Sequence, residues 1–166
     1  MHIRPALPAD ATAICALHIA SWRDAYRDHL PDAYLGDPVA ADLAALWADI
    51  PESDLVFVAE RSGEIEGFVA FRLTAPGLTE DGPLLDNLHV APGLRGGGIG
   101  EGLMRQGMAE LATRGLDRFW LTVLENNHAA RRFYRRLGGS ESVPFAEALK
   151  GNPVSVCKVT WRGLKV

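Results

Sequence analysis

The chain has 166 residues, 48% hydrophobic and 23% charged, with 17 glycines and a formal net charge of −4. A chain of this length buries roughly 70% of its unfolded surface, so it needs neither disulfides nor metals for a core, and its small negative charge excludes the field of a nucleic-acid binder. Charge interrupts every apolar run and MHIRPALPAD has no signal-peptide core, which excludes a membrane span and leads us to expect a single cytoplasmic domain over residues 1–166.

From the N-terminus, Ile3 and Arg4 before a proline read as a short strand. Asp10 is placed to cap a first helix through Ile14, Leu17 and Ile19 to Trp22, fading near Arg27. Residues 39–48 read as a second helix. LVFVAE at 55–60 and GFVAFRL at 67–73 read as a hairpin about Arg61 to Glu64. A strand over 84–90 ends at Ala91-Pro92-Gly93, because proline cannot donate to a ladder. Ile99, Leu103, Met104, Met108, Leu111 and Ala112 form one stripe of a third helix that Gly115 closes. FWLTVL at 119–124 reads as a strand. Asn127 is placed to cap a fourth helix with Ala130, Phe133, Tyr134 and Leu137 on one face, and VSVCKVTW at 154–161 reads as a last strand. These elements predict a mixed sheet flanked by helices.

Cys15 and Cys157 sit far apart among apolar neighbours, as buried thiols do. The five histidines show no metal-ligand spacing, so no metal is expected. Charge is unevenly spread: residues 1–54 hold nine acids and three arginines, whereas residues 55–166 hold 14 bases and 12 acids. A solvated acidic helical surface accounts for the first stretch, and a region that attracts a cationic acceptor is the alternative.

The informative segment runs from Leu84 to Leu111. It is a strand, a turn, then Arg95-Gly96-Gly97-Gly98-Ile99-Gly100, then an amphipathic helix. The first amides of a helix lack internal partners and sit at the positive end of its dipole, so glycines without side chains let a phosphate approach them. Arg95 adds a fixed positive charge. Neither GxxxxGK[ST] nor GxGxxG is present, which excludes the two better-known phosphate loops.

The pattern V-x-P-x-x-R-G-x-G-I-G over Val90 to Gly100 resembles the coenzyme A pyrophosphate loop of the GNAT superfamily of N-acyltransferases. Asn127, Ala130, Phe133 and Tyr134 match that family's N-x-x-A-x-x-F-Y segment, and Ile3-Arg4-Pro5-Ala6 with Trp22, Arg23 and Tyr26 is similar to its N-terminal half. The resemblance implies a mostly antiparallel sheet of six to seven strands, splayed at a coenzyme A cleft and flanked by about four helices. It implies acetyl-CoA as co-substrate, with backbone groups of Leu88, His89 and Val90 on the pantetheine arm, and the amides of Gly96, Gly97, Gly98, Ile99 and Gly100 with Arg95 on the pyrophosphate. Asn127 would bond the arm, and Tyr134 would sit by the thioester sulfur as the catalytic acid. The other partner would be an amine lying against the first two helices, in a monomer or homodimer, with no nucleic acid or membrane involved.

The implied reaction is direct attack of a neutral amine on the thioester. An alkylamine has a pKa of about 10.4, so a base or a water chain must take its proton; Asp86, His89 and water are the candidates. A phenol with a pKa of about 10 stays protonated at neutral pH and is able to protonate the leaving thiolate, the role assigned to Tyr134. A non-catalytic acyl-CoA-binding module would share the loop without needing Tyr134, and a purely structural domain would need neither. Polyamine, aminoglycoside, amino acid and protein acceptors all stay open. Glu101 should point away from the anion site. Leu137-Gly138-Gly139, where the family commonly has Leu-Gly-Phe, should loosen packing, and Arg131, Arg132, Arg135 and Arg136 should form a solvated outer face.

Overall fold

The computed structural model describes residues 1–27, 31–48 and 50–165. The chain divides into two compact units, Met1–Phe71 with Asp86–Gly107, and Arg72–Leu85 with Met108–Val166. Eight strands and five α-helices among the described residues make a mixed, mostly antiparallel α/β fold.

The first unit begins with β1 (His2–Pro5), which pairs antiparallel with β2 (Leu55–Arg61), and β2 pairs with β3 (Glu64–Arg72). The two-residue loop between β2 and β3 has positive φ at both Ser62 and Gly63, the geometry that matches the twist of a hairpin. Next to β3 comes β4 (Leu84–Val90), whose residues from Asp86 onward belong to this unit. Val56, Val58, Phe68 and Ala70 pack with Ile14 and Leu17 of α1 (Ala11–Ala25) and with Trp47. Two further helices, α2 (Asp32–Leu35) and α3 (Asp37–Leu46), follow α1, and Arg23 ties α1 to them by donating to the carbonyls of Leu35 and Gly36 at 2.8 and 3.1 Å. The helix α4 (Ile99–Thr113) lies close against β3, for a Cβ at Gly107 would come within 2.4 Å of the Phe71 ring.

In the second unit β5 (Arg118–Leu124) buries Phe119, Leu121 and Val123 on one face and lies parallel to the start of β4, with Leu84 opposite Trp120. The long strand β8 (Asn152–Arg162) is its antiparallel partner from Arg118↔Arg162 to Leu124↔Val156, and also pairs with β6 (Ser140–Glu141) and β7 (Phe145–Leu149). Phe119 stacks on Trp161 with centroids 4.4 Å apart. The remaining element, α5 (His128–Arg136), precedes β6.

The mixed, mostly antiparallel architecture is the one expected, with eight strands and five helices among the described residues against the expected about six to seven and about four: α2, β6 and β7 have four, two and five residues, too short for periodicity to register. Several other expectations need correcting. Asp10 does not cap α1. Its carboxylate accepts from the amide of Leu7 at 2.7 Å and from Arg4 at 2.7 Å, closing the turn before the helix, and Arg4 holds it below the usual carboxylate range. Gly139 does not loosen packing, because a Cβ there would stand 2.5 Å from Val159 and 2.7 Å from Trp161. Arg131 does not join a solvated face: it pairs with Glu141 and donates to the carbonyl of Glu125.

Candidate functional site

The first unit builds an anion-accepting turn where β4 ends. Pro92 and Gly93, with φ of +87° at Gly93, form a turn closed by the amide of Leu94 donating to Ala91 at 3.0 Å. The chain then passes through Gly96 and Gly98, with φ of +86° and +80°, conformations that L side chains rarely adopt. The amide of Gly102 donates to Gly98 at 2.9 Å, which fixes the first turn of α4 and leaves the amides before it without intrahelical acceptors. Residues 92–98 are exposed, and among the described residues beyond the immediate chain neighbours no heavy atom lies within 4 Å of where a Cβ would stand at Gly96 or Gly98. Open amides at a helix N-terminus, a loop without side chains and a neighbouring Arg95 fit a diphosphate. Glu101 points along the helix surface, where Arg105 donates to it at 2.9 and 3.0 Å, as expected.

Leu88, His89 and Val90 are half-buried on β4 just before this turn. The His89 ring lies 4.6 Å from that of His18 and 5.4 Å from Phe68. Its pKa is pushed down to about 3, first by burial, then by the electrostatic influence of the neighbouring His18 and Arg95. His89 is therefore neutral at physiological pH and a weak base. Asp86 is exposed and accepts from Asn87 Nδ2 at 2.9 Å. Nearby, burial first and the Asp86 charge second push the Tyr26 phenol upward.

In the second unit Asn127 is the cap of α5: its Oδ1 accepts from the amide of Ala130 at 3.1 Å. Tyr134, on α5, is half-buried, with its ring edge-on to Trp161 at 5.8 Å and to Phe133 at 5.3 Å. The cap satisfies one helix amide, and the side-chain amide nitrogen of Asn127 remains a donor of the kind a pantetheine carbonyl accepts.

Sequence reasoning passed over three groups. His18, 2% exposed inside α1, accepts at Nδ1 from Trp47 Nε1 at 2.9 Å. Asn87 is buried in the strand, and Asp24 is the partner of Arg95 at 2.6 Å. None carried a motif. A histidine amid the apolar positions of the first helix was the one available signal. Both cysteines are free, with pKa values raised by burial. Among the described residues no group of three or more His, Cys, Asp or Glu side chains gathers as a metal site, and no helix is long and apolar enough to cross a membrane.

Residues 15–139 match the model of the acetyltransferase (GNAT) family. Over 84 residues the chain is 42% identical to the mycothiol acetyltransferase of Thermobispora bispora, covering 49% of this chain and 28% of that one. Over 76 residues it is 37% identical to the streptothricin acetyltransferase of Streptomyces lavendulae, covering 46% of this chain and 39% of that one. The chain thus spans well under half the length of these two relatives. The fold is similar to the crystal structure of the PaiA N-acetyltransferase of Thermoplasma acidophilum in complex with coenzyme A, with a TM-score of 0.72 and 16% identity over 97% of this chain and 98% of that one. The glycine turn that opens α4, the capped α5 and the matched family model together establish that the chain belongs to the acetyltransferase (GNAT) family.

Proposed function

We propose that this chain transfers an acetyl group from acetyl-CoA to a primary amine. The observation that carries the reading is the turn from Arg95 to Gly100, where positive φ at Gly96 and Gly98 leaves open space before the N-terminus of α4. The amides of Gly96, Gly97, Gly98, Ile99 and Gly100 would hold the pyrophosphate, with Arg95 beside them, and backbone groups of Leu88, His89 and Val90 would pair with the pantetheine arm. Asn127 would add a hydrogen bond to the arm. The thioester supplies an activated acetyl group, so the protein needs to do little more than orient the amine, move two protons and stabilise the carbonyl oxygen with an amide donor.

Tyr134 is the proposed donor to the departing sulfur, because a phenol, with an ordinary pKa of about 10, carries the proton that a leaving thiolate needs. The acceptor amine must shed a proton with a pKa of about 10.4. His89 is a poor recipient, since its own pKa lies near 3, which leaves Asp86 or water.

The acidic balance of residues 1–54 favours a cationic acceptor. The relatives named for mycothiol and streptothricin support a small-molecule amine over a protein. The test is a screen of primary amines with acetyl-CoA, read by thiol release. Release dependent on a cationic amine is expected. Coenzyme A binding without release from any amine would leave a non-catalytic binding module, and no binding at all would overturn the reading.

A further inference from the structure

Arg95 is the cation that the glycine turn presents, and in this structure it is already engaged. Its Nη1 donates to Asp24 Oδ2 at 2.6 Å, joining the turn to the last helical turn of α1 across 71 positions of sequence. The two side chains are 52% and 41% exposed. An ion pair this open to water contributes little to folding, so its importance lies in where it stands. A carboxylate within hydrogen-bonding distance of that guanidinium repels an arriving diphosphate and occupies a donor that the diphosphate needs. Asp24 also has a second cation in reach, Arg27 Nη2 at 3.9 Å, which stays with it if Arg95 departs. The exchange therefore strands neither charge.

We propose that Asp24 is a built-in competitor for Arg95: it holds the guanidinium when the turn is empty, gives it up to a diphosphate, and thereby sets the affinity and salt dependence of coenzyme binding. This rests on the coenzyme reading above. Calorimetry of the full chain with coenzyme A, and separately with inorganic pyrophosphate, tests it. D24N should bind about two- to fivefold tighter at low salt, the factor an exposed charge pair supplies. The gain should shrink as salt rises, and D24N/R95Q should show none of it over R95Q. A damaged fold weakens binding and does not produce this sign. Unchanged or weaker binding by D24N, or a gain that persists in the R95Q background, overturns the proposal while leaving the coenzyme reading intact. If the unaltered chain binds neither probe, the coenzyme reading itself fails and takes this proposal with it.

Discussion

Trp47 Nε1 donates a 2.9 Å hydrogen bond to Nδ1 of His18, and so fixes the neutral imidazole with its proton on Nε2 inside the core of the first unit. Replacing Trp47 with Phe keeps an aromatic ring but removes the donor to a buried acceptor. A loss of about 1–3 kcal/mol is expected, read as a lower urea midpoint with an unchanged slope.

The neighbouring His89 makes stability depend on pH. Its pKa is 6.5 when unperturbed and about 3 in the folded chain, so between these values the unfolded state binds more protons than the folded one. Stability is therefore full above pH 6.5 and falls as pH drops toward 3, by up to about 1.4 kcal/mol per pH unit from this group. The lowered carboxyls of Asp10, Asp81 and Glu141 add their losses only at the acid end. Denaturation of His89→Phe across this range should show a much flatter upper portion; an unchanged slope would assign the effect elsewhere.

At Gly98, φ is +80° and the surrounding space is open, so Gly98→Val meets backbone strain rather than a clash. The cost to stability is about 1–2 kcal/mol, while the branched side chain covers the amides at the start of α4. Coenzyme A binding by calorimetry should fall at least tenfold, far beyond the small shift in melting temperature.

Gly139 poses the opposite problem, with ample conformational freedom but no room. Gly139→Ala places a methyl against Val159 and Trp161 and should cost about 1–3 kcal/mol through overpacking. Chemical denaturation checks this, and a neutral result would mean that the helix end yields at little cost.

Tyr134→Phe removes a hydroxyl while retaining the ring that packs edge-on to Trp161. Turnover should drop about 10²–10⁴-fold with coenzyme affinity within a factor of two. Steady-state kinetics paired with calorimetry separate this from a loss of binding, and full turnover would remove Tyr134 from the chemistry.

The amino-acid order alone determined much of this molecule, because the decisive features are local. The glycines before Ile99, the cap at Asn127 and the apolar runs of β2, β3 and β5 act within a few residues of themselves, so backbone sterics, helix-end amides and side-chain periodicity reveal them. Tertiary structure decided whatever depends on residues far apart in the chain. It brought Glu60 onto Arg4, desolvated His89 against His18, pressed Val159 and Trp161 onto Gly139, and set Asp24 against Arg95. Burial and Coulomb energy follow distance in space, which no spacing along a sequence records.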